Sequence, residues 1–375
     1  MAHAYTPGLK VLHHTKVKKN RRLPIKGNVI KEVGDALEPN DIVATTDLPG
    51  NVQMIKVANL LNIGPGDVPD VMIVDEGASV KKGQMIAQTE GLFGFFKSDV
   101  KSPIDGTIES ISDVTGQLVL REAPIPVEVD AYMNGIVKEI IQEEGVVVES
   151  DAAFIQGIFG IGGESRGDMI VLVSNREAEL TAELLDESHK GKIVVGGSFI
   201  SLDTYKKALS LGVAGVVVGG FNYFDLEEIL GYILGVAITG SEDLVTSLIV
   251  TEGFGNIRMG SRTFDLLTKQ NGKFVSINGA TQIRAGVIRP EIVIPLQETE
   301  IPETEVHKSD NSGISEGSLV RIIRAPYFGK MGQVVSLPPE LQQMESETMV
   351  RIAEVNVDGD VLNIPRANLE MVETD

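Results

Sequence analysis

The chain has no cysteine and no tryptophan, and only 5 % of its residues are aromatic. Lack of cysteine excludes a disulfide framework, a thiolate nucleophile and a sulfur-ligated metal. No apolar run approaches the roughly 20 residues that span a bilayer, and residues 1–26 lack the apolar core of a signal peptide. These absences lead us to expect a cytoplasmic protein without a membrane span. Histidine is scarce too: His3, His13, His14, His189 and His307 contain no i, i+4 pair and no zinc-like spacing. Cys–His catalysis is thereby excluded, and nothing indicates a Ser–His–Asp triad. The expectation is a binding protein rather than an enzyme, with no catalytic residue, metal or cofactor. Acid–base work by two carboxylates distant in sequence stays open.

What is present is length and glycine. The 375 residues are 42 % hydrophobic, enough for two to four domains with their own cores. The 40 glycines suit many tight turns between short strands. Charge is uneven. Residues 1–26 hold seven cations and no acid, so a chain of net charge −20 carries −27 over the remainder. Within this basic arm (residues 1–28), Lys16, Lys18, Lys19, Arg21 and Arg22 are candidates for nucleic acid. The alternative is that the arm lies on its own acidic body or on that of a neighbouring subunit.

From Val29 to Ser165 one kind of phrase repeats, short alternating strands broken by glycine turns. Glu76-Gly77-Ala78-Ser79-Val80-Lys81-Lys82-Gly83-Gln84 leading to Ser102-Pro103-Ile104-Asp105-Gly106 is the fullest copy. Such alternation argues for antiparallel β structure. This copy resembles the lipoyl/biotinyl-like hammerhead, or barrel-sandwich hybrid. The resemblance implies a barrel-sandwich fold for residues 29–165 and a hairpin tip near Phe95, where carrier domains keep their modified lysine. Here the tip reads Gly91-Leu92-Phe93-Gly94-Phe95-Phe96-Lys97, without the carrier motif. Phe93, Phe95 and Phe96 are instead candidates for core or for a partner contact.

Over residues 166–295 the periodicity changes to that of an α/β domain. Apolar runs at Met169–Val173, Lys192–Gly197, Gly212–Gly220 and Val236–Gly240 alternate with helical spacing over Glu177–Ser188, Leu202–Leu211 and Asp225–Leu230. This predicts a mainly parallel sheet covered by helices. Ligands meet such sheets beyond the carboxyl ends of the strands, where Gly196, Gly197, Ser198, Gly219, Gly220, Thr239, Gly240 and Ser241 are expected to gather. Arg284 and Arg289 are candidates for a forked anion clamp. The competing reading is structural: glycine for strand–helix turns, Ser and Thr for caps, arginines paired with acids. The Gly157–Gly167 run precedes a strand and lacks the context of a nucleotide loop, so a tight turn or hinge is expected.

Residues 296–312 are acidic and broken by proline, and read as a mobile linker. Beyond it, Glu316-Gly317-Ser318-Leu319-Val320-Arg321-Ile322-Ile323-Arg324-Ala325-Pro326-Tyr327-Phe328-Gly329-Lys330-Met331-Gly332-Gln333-Val334-Val335 forms strand–loop–strand. The stretch resembles a KOW motif. That implies an SH3-like barrel over 313–375, free to reorient on its linker and docking a protein partner through Arg321, Arg324, Tyr327, Phe328 and Lys330. A hairpin is expected at Asp358-Gly359. The fold class is therefore a multidomain α+β protein: a β-rich barrel-sandwich N-terminal half, an α/β middle domain and the C-terminal barrel. The leading functional expectation is a non-enzymatic adaptor docking on a larger assembly, such as transcription or translation machinery. The alternatives are an α/β domain that binds a small molecule or phosphate, or acts on one, and a self-assembling homo-oligomer.

Overall fold

The computed structural model describes residues 9–89, 97–232, 239–240, 242, 244–282, 288–301, 314–322, 324, 327, 330–343 and 349–374. The chain is β-rich, with several sheets, the largest of them mixed.

The basic arm is a strand. Leu9–Arg22 runs antiparallel to Gly145–Gln156 from Val11 opposite Ile155 to Arg22 opposite Gly145. Val11 and Val17 turn inward to the core, and five of the cations outside meet a carboxylate. Lys16 pairs with Asp151, Lys18 with Glu149, Lys19 with Glu291, Arg21 with Asp130 and Glu164, and Arg22 with Glu144. Of the readings of the arm, the contact with its own acidic body is the one realised.

Residues 52–121 pack their own core around Ile86, Ile108, Leu118 and Leu120. A four-stranded sheet holds Val52–Ile55, Gln117–Arg121, Gly106–Ser112 and Ser79–Val80. Beside it Met85–Gln88 and Asp99–Lys101 pair around the segment that contains Phe93, Phe95 and Phe96, which lies outside the described residues. Two short helices, Val57–Leu61 and Val68–Val71, also lie here. The all-β expectation missed them, the second carrying Pro69 in its first turn, where proline is tolerated.

In the middle of the chain, Glu164–Val171, Ile193–Val195, Gly215–Phe221 and Ser247–Phe254 form a parallel run in that order. Ile193 and Val195 face one core and Val194 the other, so both faces are buried, as the continuous apolar runs require. The Leu202–Ser210 helix covers one face and the Ser261–Lys269 helix the other. The fourth parallel strand is Ser247–Phe254; most of the expected Val236–Gly240 run lies outside the described residues. No helix forms over Glu177–Ser188. Leu180 pairs with Ile200 in extended form, and 3-10 turns at Ala182–Leu184 and Glu187–His189 follow. Asp186 accepts the Ser188 amide at 2.9 Å, a local bond that competes with the helix. The Gly157–Gly167 run is a tight turn between the strands Phe159–Ile161 and Glu164–Val171, with Gly162 at φ 76°.

At the C-terminus, Leu319–Ile322, Met331–Ser336, Leu341–Gln343, Met349–Val357, Asp360–Pro365 and Leu369–Thr374 form an antiparallel unit around Val320, Val334, Val355 and Leu369. The turn at Asp358-Gly359, both at positive φ, closes the expected hairpin. This unit is not loose. Leu369–Thr374 runs parallel to the start of Leu9–Arg22, with Leu9 opposite Val372, and Arg321 reaches into the body. The expectation of freedom came from linker composition; a shared sheet edge and a buried ion pair override it.

Candidate functional site

Backbone packs closely against the glycines at the expected strand-end site. A Cβ on Gly197 would stand 2.4 Å from the Ala178 carbonyl oxygen, one on Gly219 2.2 Å from that of Ile257, and one on Gly220 1.9 Å from that of Gly255. A Cβ on Gly196 would meet the side chains of Leu180 and Val218. These glycines let the 175–178 and 255–259 loops lie against the sheet. Ser198 Oγ donates to the Glu177 carbonyl at 2.8 Å and Thr239 Oγ1 to that of Gly160 at 2.7 Å. The Gly240 amide donates to Glu242 at 2.7 Å. Ser241 and Arg284 lie outside the described residues. Arg289 pairs with Glu370 rather than opening to solvent.

Just outside these loops the protein has a cleft of about 510 Å³. It lies where the carboxyl end of Ser247–Phe254 meets the C-terminal unit. Thr251 and Glu252 form its floor, residues 257–263 one wall, and Leu319, Arg321, Lys330, Met331 and Asp358 the other. Arg176, Arg258, Arg262, Arg321 and Lys330 converge on it, against two acids, Glu252 and Asp358. Lys330 pairs with Asp358 at 3.4 Å and Arg176 with Glu177 at 3.2 Å. Among the described residues Arg258 and Arg262 have no carboxylate partner.

The Ser261–Lys269 helix opens into this cleft. Its N-cap is Gly260, no side chain caps it, and no acid stands in its first turn. Helix entries leave backbone N–H groups without intrahelical acceptors and carry a partial positive charge. A cation such as Arg262 there is unfavourable for the fold alone. Glu252 meets part of the demand, accepting from the Gly260 amide with one oxygen and from Arg321 Nη1 with the other, each at 2.8 Å.

No protein family matches the chain, and no curated protein gives a significant match.

Arg321 is 2 % exposed. Its Nη2 donates to Glu370 at 3.3 Å, and Glu370 also accepts from Arg289 Nη2. The four groups Glu252, Arg321, Glu370 and Arg289 thus form a buried chain of alternating charge between the C-terminal unit and the sheet. Burial lowers the Arg289 pKa; Glu370 counters this, while the neighbouring positive charge of Arg321 adds to it. The Nε of Arg321, like that of Arg289, has no hydrogen-bond partner, an unmet donor beside a cationic cleft.

Of the expected partner contacts, Arg321 is therefore buried and Lys330 turns to the cleft. Tyr327 packs against the core of the C-terminal unit, Arg324 is exposed, and Phe328 lies outside the described residues. The sequence points to a candidate site beyond the strand ends and does not single out Arg258 and Arg262. The available signal was a run free of acid, Gly253–Phe264, in a chain of net charge −20, with two arginines four apart around Gly260-Ser261.

Proposed function

We propose that this is a ligand-binding protein that holds a small anion in the cleft between its middle sheet and its C-terminal unit. Arg258 and Arg262 are the principal contacts, aided by the free amides that open the Ser261–Lys269 helix. The supporting observation is that these two arginines converge on an uncapped helix entry without a carboxylate partner among the described residues. Anions at helix entries draw on both the free N–H groups and the helix dipole. Arg176 and Lys330 are held at the rim by exposed acids and are available to shift toward a ligand.

The test is a thermal-unfolding series of the full chain with inorganic phosphate, pyrophosphate and sulfate. A ligand at about 100 times its Kd adds about 2.7 kcal/mol. The expected rise in Tm disappears in the Arg258→Ala/Arg262→Ala variant. If none of the three anions raises Tm, the reading fails.

An adaptor reading draws on a different observation. The C-terminal unit, which we read as a KOW-like SH3 barrel, exposes Val335, Leu341, Met349 and Val361. These apolar side chains suit a protein partner, whereas Arg321 is buried and Lys330 stands at the rim of the cleft. Recovery of the same binding partners by wild type and by the Leu341→Lys/Met349→Lys variant of the full chain would count against it. The hammerhead resemblance of the N-terminal half adds a structural module to either reading and no carrier function.

A further inference from the structure

The cleft is larger than its anion contacts require. Its volume of about 510 Å³ falls within the range of roughly 300–1,000 Å³ that holds whole small molecules. Its lining is also chemically divided. Arg258, Arg262 and the helix entry form the charged part. Ile257, Leu319 and Met331 form an apolar part, contributed by the 255–260 loop and the C-terminal unit and backed by the buried Leu9, Val11 and Met259. An inorganic anion would satisfy the first and leave the second against water, at the usual cost of exposed apolar surface.

The charge balance narrows the anionic group. Lys330 has Asp358, Arg176 has Glu177, and Arg321 has Glu252 and Glu370. What remains is the double positive charge of Arg258 and Arg262, which matches a phosphomonoester of about −1.5 to −2 at pH 7 better than a carboxylate of −1. The fork of a guanidinium also fits phosphoryl oxygens two at a time. Met331 on the apolar side adapts its shape to an aromatic or branched group.

Resting on the anion-site reading above, we infer that the ligand is a phosphomonoester carrying a compact apolar or aromatic body, with the phosphate on Arg258 and Arg262 and the body against Met331, Ile257 and Leu319. The anionic head sets the orientation, and the apolar body supplies the additional affinity.

The test is calorimetric titration of the full chain with three probes: inorganic phosphate, 2-naphthyl phosphate and 2-naphthol. The expected result is 2-naphthyl phosphate binding at least about tenfold more tightly than inorganic phosphate, with 2-naphthol weaker than the ester. Met331→Gln, at an exposed position, should weaken the ester and so narrow the gap between ester and phosphate. Equal affinity for the ester and phosphate overturns this inference and leaves the anion site standing. Naphthol binding as tightly as the ester overturns the role of the phosphate. Binding of none of the probes overturns both the inference and the anion-site reading.

Discussion

Arg321 of the C-terminal unit donates to Glu252 of the middle sheet at 2.8 Å, and neither side chain is more than 12 % exposed. The pair ties together two segments nearly seventy residues apart in the chain. It also fixes the floor of the cleft, because Glu252 holds the Gly260 amide with its other oxygen.

Removing one member of a buried pair leaves the other charge unpaired, which costs about 3–5 kcal/mol. Arg321→Met should therefore loosen the C-terminal unit and expose its edge, read as faster hydrogen exchange in Leu319–Ile322 and Leu369–Thr374. Because Glu370 retains Arg289, the double variant Arg321→Met/Glu252→Gln should recover part of the loss. Unchanged exchange in the single variant would contradict the role given to this pair.

Arg262 sits near the start of a helix whose dipole disfavours a cation by about 0.3–1 kcal/mol. Arg262→Ala should accordingly raise the stability of the ligand-free protein by an amount in that range at low salt, while weakening phosphate binding. Urea unfolding with and without phosphate measures both. A loss of stability without ligand would mean that Arg262 serves the fold.

Gly219 and Gly220 sit where the backbone approaches too closely for a side chain. Alanine at either position places a Cβ against the Ile257 or Gly255 carbonyl, and overpacking of this kind costs typically about 1–3 kcal/mol. Gly220→Ala should lower Tm clearly, whereas Gly66→Ala, with open space around it and no positive φ, should be nearly neutral. Equal Tm values for the two variants would remove the packing explanation.

Asp151 links the first strand to acid stability. Burial raises its pKa, but hydrogen bonds from His14 at 2.7 Å and Lys16 at 3.0 Å outweigh that and hold the carboxyl below its usual range. A depressed folded-state pKa contributes stability above the unfolded value, about 3.9, and that contribution is lost as pH falls through the folded value. Between pH 7 and pH 3 the wild type should therefore lose more stability to urea than Asp151→Asn does. Parallel losses would show that the bonds to Asp151 are not what the acid limb reports.

Local signals in the chain were sufficient for several strands and turns, though not for the extended segment at Glu177–Ser188 or the short helices at Val57–Leu61 and Val68–Val71. Apolar runs at Met169–Val173, Ile193–Val195 and Gly215–Val218 determined buried parallel strands, because a strand covered on both faces needs no polar alternation. Asp358-Gly359 determined a hairpin, because both residues tolerate positive φ. The tertiary structure decided what charge and composition left ambiguous. Lys16, Lys18 and Lys19 read as a free basic arm until strand pairing set them opposite acids more than 100 residues away. Residues 296–312 suggested a free C-terminal unit until Leu369–Thr374 joined the sheet edge. Arg258 and Arg262 line a cleft, the proposed site, only because folding brought Lys330, Met331 and Arg321 across from them. Backbone geometry depends on neighbours in sequence, and so is written locally; the meaning of a charge depends on what folding places within a few ångströms of it.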